Sequence, residues 1–410
     1  MSGSRRSNDE PAAPPGPEVG PPALGPWQLF GVFGCVLTAV LPAFMIGSLA
    51  IHIGNDLNFA ETSVGIAIGA YFATAAIGSS LLGRMGDRLG SSRTLRIAGL
   101  SSSACLLALA LGAHSLGTLI AISAFGGFAM AAVQPAANAT IASAFTTNRQ
   151  GIGLGVKQLG VPLSTLVSGL AVPLVAITVG WRWSFAGAAV FGLCAAFLVP
   201  WGPRASTAEA TSTRTGRSVA ERSLSLGLVT IGLAFASASA SSLGAFGIQA
   251  GRHAGLSAGT AGYIAAIGSL GAIGMYLLAG WYADCRPGRE LMMIPVMLLT
   301  GATVMLVLAS TEGVYSFVII VPVAIAIGWG WPGLVNLVVV RIRPEARGSA
   351  TGSTQRGAYI GAVLGPPLFG FIAETRSYGA AWLANAMLMF IAGCLFTWLR
   401  AREGETWANI

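Results

Sequence analysis

Residues 97–148 read IAGLSSSACLLALALGAHSLGTLIAISAFGGFAMAAVQPAANATIASAFTTN, and no Asp, Glu, Lys or Arg occurs between Arg96 and Arg149. A helix needs about 20 consecutive apolar residues to cross a bilayer core. The stretch therefore holds two spans joined by a tight turn near His114–Gly117. Helices are the sensible choice, because open strands in lipid leave backbone N–H and C=O groups unpaired. The run is also too long and unbroken for barrel strands.

The pattern continues in both directions. Hydrophobic residues make up 54% of the 410-residue chain and charged residues 9%, against about 25% charged in a soluble domain. Mean hydropathy is +0.72. This balance excludes a soluble globule, a disordered chain and a DNA-binding protein. Twelve spans are expected, at 27–53, 62–83, 94–113, 117–141, 151–176, 183–202, 224–247, 258–281, 290–310, 314–338, 349–372 and 378–400. The fold class is an all-α membrane protein of twelve transmembrane helices. Residues 1–26 are rich in Pro, Gly, Ser and charge and read as a disordered tail. They are no secretory signal: Arg5 and Arg6 lie too far from the first apolar run, which is itself too long. The polar stretch 203–223 separates a six-helix bundle at 27–202 from a second at 224–400, and 401–410 is a short tail.

Placing both termini in the cytoplasm puts eighteen of the 23 basic residues on the inner side. Arg182, Arg252 and Arg376 then fall outside, while Lys157 and Arg356 lie within spans. Such asymmetry follows the positive-inside rule, so the expected location is the inner membrane. The net charge of +8 does not indicate nucleic acid, because no basic patch interleaves with stacking aromatics. The five cysteines are far apart and read as small core residues without a disulfide framework. Three histidines leave little material for a metal site, and neither metal nor cofactor is expected.

The halves match at an offset of 197 residues, pairing Gly83 with Gly280, Asp87 with Asp284, Pro135 with Pro332, Gly151 with Gly348, Gly155 with Gly352 and Gln158 with Gln355. Some glycine matches are chance in a chain with 56 glycines; the Asp and Gln matches are harder to dismiss. A parallel repeat of six-helix units is the architecture of a two-bundle transporter with its site at the bundle interface.

After span two comes Gly83-Arg-Met-Gly-Asp87-Arg88-Leu-Gly90-Ser-Ser-Arg93. It resembles the signature loop of the major facilitator superfamily, Gly-x-x-x-Asp-Arg/Lys-x-Gly with later basic positions. Ser91 and Ser92 stand where a further basic residue is common, and the second half keeps only Gly280-Trp-Tyr-Ala-Asp284. The topological resemblance covers residues 27–400, the specific motif about a dozen. It implies two pseudo-symmetric six-helix bundles, with Asp87 on the N-terminus of span eleven at Gly348–Ser349 as an inner-side latch. Physically, Gly83 allows close helix approach, Gly90 a tight turn, and an anion is stabilised at a helix N-terminus. The competing reading of Asp87 and Arg88 is a pair of solvated loop charges.

Lys157 is the only lysine, beside twenty-two arginines, and lies six residues into span five. Its helical stripe, Gly153, Lys157, Gly160, Ser164 and Ser168, is small or polar and reads as a cavity face. The alternative is a lysine snorkelling to the headgroups. Arg356 sits on a stripe that turns apolar with depth, so snorkelling or structural pairing competes with a binding role. Gln158 and Gln355 either meet substrate or bond helix to helix. Gln134, Asn138, Trp331 and Asn336 surround the prolines of spans four and ten, which the resemblance makes cavity-lining. A proline there frees a backbone carbonyl that needs a partner, and Trp331 offers an apolar wall. Helix packing is the competing reading for each.

No Asp or Glu lies in mid-membrane, and span five reads Gly160-Val-Pro162-Leu-Ser-Thr in place of the Gly-Pro-x-x-Gly-Gly element of drug–proton antiporters. The expected function is secondary-active transport by alternating access, as a monomer, with a small organic or inorganic anion as substrate. An exporter of neutral or amphipathic compounds is the alternative, and a transport-inactive sensor a third reading. An enzyme is not expected, because no buried acid–base cluster is present.

Overall fold

The computed structural model describes residues 24–58, 61–145, 149–201, 219–256, 258–286, 288–311, 313–342 and 347–407, and these are helical throughout apart from short links. In the first half the helices are α1 (Pro26–Ser48), α2 (Ala50–Leu57), α3 (Glu61–Leu89), α4 (Ser91–Gly112), α5 (Leu116–Ala144), α6 (Gln150–Gln158), α7 (Gly160–Ala171) and α8 (Trp181–Leu198). In the second they are α9 (Val219–His253), α10 (Ala258–Cys285), α11 (Glu290–Ser310), α12 (Val314–Gly328), α13 (Pro332–Ile342), α14 (Arg347–Thr375) and α15 (Tyr378–Trp407). Among the described residues, twelve stretches are long and apolar enough to cross a membrane.

Local chemistry sets the ends. Ser115 caps α5: its hydroxyl accepts from Thr118 N at 3.3 Å, and the Thr118 hydroxyl accepts from Ser115 N at 3.0 Å. Gly90 alone separates α3 from α4, at φ +90°, a region open to glycine because it has no Cβ. The stretch read as a loop is therefore corrected: Gly83 to Leu89 are the last turns of α3. A helix places Gly83 and Asp87, four residues apart, on one face.

Other boundaries shift too. Span one ends at Ser48 and continues as α2 to Asn58, which takes the left-handed conformation at φ 55°. Span five is α6 and α7 followed by a π-helical turn at Val172–Ala176. Span ten is α12 and α13, broken at Trp329–Trp331. The last helix runs to Trp407, into the stretch read as a tail. The tail at 1–23 and loop residues 202–218 lie outside the described residues.

In the first bundle α1 packs on α4, α5, α7 and α8, and α3 on α5. In the second, α9 packs on α14 and α15, α10 on α12, and α11 on α15. The bundles meet where α3 lies on α14 and where α6 lies on α10 and α13. The cysteines need a correction: Cys35 and Cys105 are buried, but Cys194, Cys285 and Cys394 are exposed. A thiol is apolar enough to sit on a lipid-facing helix surface as readily as in a core.

Candidate functional site: two carboxylate caps and a buried lysine

Asp87 ends α3 and its Oδ2 accepts from Ser349 N at 2.7 Å. Ser349 lies in the first turn of α14, where amides have no intrahelical acceptor. Asp284 ends α10 in the same way: its Oδ1 accepts from Gly151 N at 2.6 Å and its Oδ2 from Ile152 N at 2.8 Å, both in the first turn of α6. The 197-residue offset relates Asp87 to Asp284 and Ile152 to Ser349. The two caps are thus repeat equivalents, each carboxylate reaching across to a helix of the other bundle.

Glycines bring the backbones close enough for this. A Cβ on Gly155 would stand 2.7 Å from the Tyr276 carbonyl, and one on Gly352 would run into Ser79 and lie 3.2 Å from Gly83 Cα. Gly280 and Gly151 meet in the same manner. Elsewhere on these spans, a Cβ on Gly69, Gly169 or Gly274 would meet nothing within 4 Å. Beside the second cap, buried Glu290 pairs with Arg341. The first repeat has no counterpart, since Arg93 and Ala144 hold those positions. Arg88 is exposed and Arg93 half-buried.

Lys157 on α6 is 1% exposed, and its Nζ donates to Asn138 Oδ1 on α5 at 2.9 Å. Among the described residues no carboxylate pairs with it. Its stripe, read as a cavity face, packs inside the first bundle: Gly153 faces Ile141 and Phe145, Gly160 faces Val36, and Ser164 and Ser168 are buried. Small residues suit close packing as well as a wet cavity, and here they pack. Asn138 Nδ2, Gln134 Oε1 and Gln158 Oε1 are buried without partners. Gln134 and Asn138 stand one turn apart on the same face of α5.

Arg356 is exposed and donates to Ser80 on α3, so the two intramembrane cations serve different helix pairs. Gln355 is half-buried and Asn336 buried. Trp331, expected as a cavity wall, is buried in a hydrophobic cluster that draws on both bundles, and its Nε1 donates to Gly328 O at 2.7 Å. Pro332 has no N–H to offer that carbonyl, and the indole replaces it. Its repeat mate Pro135 lies inside the unbroken α5.

Sequence reasoning missed a clasp at the opposite end of the first bundle. Asp56, near the end of α2, pairs with Arg182 and accepts from Trp181 Nε1 at 3.2 Å, while Arg182 Nη2 donates to Ala113 O at 3.0 Å. The Arg182 hydrogen bond holds the Asp56 carboxyl below the usual carboxylate range. A single Asp and Arg in separate short links of the first half were the available signal. Also missed was a polar knot in the second bundle, where Asn385 Nδ2 donates to Ser239 O at 3.1 Å and to Met305 S at 3.4 Å. A cavity of about 790 Å³ lies among α9, α11, α12 and α15, with His253, Phe317, Tyr378 and Trp382 in its wall, and no expected site residue reaches it.

Two six-helix bundles, joined by reciprocal caps at one end, define a secondary transporter. The model of the Major Facilitator Superfamily matches residues 32–246 and again residues 228–409, so the chain belongs to that superfamily, a transporter family and not an enzyme family. An MFS-type efflux pump of Mycolicibacterium smegmatis (strain ATCC 700084 / mc(2)155) is 28% identical over 397 residues, 91% of this chain and 92% of that protein. The multidrug resistance protein MdtG of Dickeya zeae (strain Ech586) is 30% identical over 124 residues, 30% of each chain. Among solved structures, the human organic anion transporter MFSD10 superposes with a TM-score of 0.67 at 14% identity, covering 90% of this chain and 98% of that one. That likeness concerns the fold.

Proposed function

We propose that this carrier moves a small organic or inorganic anion by alternating access, with Lys157 as the charge that meets it. The supporting observation is a lysine amino group buried to 1% exposure with a neutral amide as its hydrogen-bond partner. A buried charge without a counter-charge is costly, and a substrate anion supplies one. Asn138 Nδ2 is an unused donor on the residue that already holds Lys157. Gln134 and Gln158 flank that pair along their helices. The twin caps support reading the signature-loop end as a gate that these carboxylate–amide bonds hold closed. The basic-residue asymmetry supports placing this end and both termini in the cytoplasm, in an inner membrane, with one chain as the working unit.

Export of neutral or amphipathic compounds is the second reading. It is favoured by likeness to an efflux pump over nine-tenths of both chains. Thermal-shift screening of the purified carrier, followed by flux into proteoliposomes, separates the two. For an anion carrier, Lys157→Gln loses the anion-induced rise in melting temperature and Lys157→Arg keeps part of it. A hydrogen bond to a charged group is worth about 1.5–3 kcal/mol, so affinity falls about ten- to 150-fold. Unchanged anion affinity in Lys157→Gln refutes the first reading, and flux of neutral amphiphiles by that variant supports the second.

A further inference from the structure

At the start of α4 two guanidiniums lie against the aromatic end of α8. Arg96 sits 5.0 Å from the Trp201 ring centroid and 5.1 Å from that of Phe197, and Arg93 sits 5.9 Å from Trp201. Among the described residues neither arginine forms an ion pair, and Arg93 Nε is buried without a hydrogen-bond partner. The aromatic surface continues outward: Trp201 is 62% and Phe197 60% exposed, beside exposed Ile97. We propose that this surface, where spans three and six pack together, binds the phosphate of an anionic phospholipid, with an acyl chain along Phe197 and Ile97.

Depth, charge and shape agree. Arg96 lies five residues into α4, about 8 Å along the helix axis, the level at which arginines reach headgroups while their stems cover apolar surface. Tryptophan favours the same level. Each guanidinium lies over the Trp201 ring within cation–π range. Arginine's planar fork suits two oxygens of one phosphate. Paired with exposed apolar side chains, two cations without an ion-pair partner among the described residues select a ligand with an anionic head and a tail, and basic pockets between spans are known to take such headgroups.

The test uses the full-length carrier in mixed micelles. Melting temperature is measured with phosphatidylglycerol, with phosphatidylcholine of the same acyl chains, and with inorganic phosphate. Phosphatidylglycerol is expected to raise it above the phosphatidylcholine value, while inorganic phosphate leaves it unchanged. Each neutralised arginine, in Arg93→Gln and Arg96→Gln, is expected to weaken the phosphatidylglycerol response about fivefold in lipid concentration. Trp201→Leu weakens it as well. Each variant is judged by its own difference between the two lipids, so a lower baseline stability does not enter. Equal shifts with both lipids overturn the proposal, as does a full phosphatidylglycerol response in the double arginine variant. A shift produced by inorganic phosphate alone replaces the lipid with a free-anion site.

Discussion

Asp56 shows how a single exposed residue ties three spans. Its carboxylate meets Arg182 and Trp181, and Arg182 stacks over the Trp181 ring at 4.4 Å while reaching the end of α4. Both charged side chains are more than a third exposed, so the ion pair adds at most about 1 kcal/mol. The sign of its pH dependence follows from the lowered carboxyl. A depressed folded-state value gives stabilisation that is complete above the unfolded value, about 3.9, and is lost as pH falls through the folded value. The melting temperature of the native chain should exceed that of Asp56→Asn by a constant margin from neutrality to about pH 4. The margin should vanish only in stronger acid. A margin already lost near pH 6 would assign the clasp to another group. Lys157 shows the limit of residue-level reading: its type and depth were legible, but its direction depended on Asn138, nineteen positions away.

At the scale of elements, small residues decide which helices touch. The α3–α14 contact depends on Gly352, where a Cβ would meet Ser79 and Gly83. Gly352→Val should therefore hold the signature-loop end apart while leaving both bundles folded. The expected readout is a longer distance between spin labels on α3 and α14 at that end, together with reduced transport. An unchanged distance distribution would show that the helices tolerate the branch by sliding. The two prolines teach the same lesson. Pro135 and Pro332 are repeat equivalents, yet α5 passes through the first and a new helix starts at the second. Pro332 follows Gly328 and Gly330, residues with poor helix propensity, and Trp331 satisfies the freed carbonyl. Ala131, Ala132 and Gln134 before Pro135 are good helix formers instead.

For the whole molecule, the reciprocal caps couple the bundles. An anion at a helix N-terminus is worth about 0.3–1 kcal/mol, up to about 2 when partly buried. Asp284 is half-buried and accepts from two amides, whereas Asp87 is exposed. Asp284→Asn should thus open the signature-loop end more than Asp87→Asn, and the double variant should open it most. Spin-label distances across that end measure the shift, and equal distances in all three variants would remove the caps from the gate. Orientation is checked separately. With native cysteines replaced, a cysteine in 203–223 should react with an impermeant thiol reagent only in opened cells, and one near Asn58 should react in intact cells.

The amino-acid sequence by itself determined the number of spans, the two-fold repeat and the pairing of Asp87 with Asp284. Each rests on the exclusion of charge from lipid or on residue spacing along one strand of text, and neither needs a partner helix to be known. Only the tertiary structure decided that Asp87 sits in a helix, that the second carboxylate reaches back to α6, and that the stripe carrying Lys157 packs inside the first bundle. The physical reason is that hydropathy is nearly the same on all sides of a membrane helix. Its faces are distinguished by backbone approach and buried hydrogen bonds, which come into being when the helices meet.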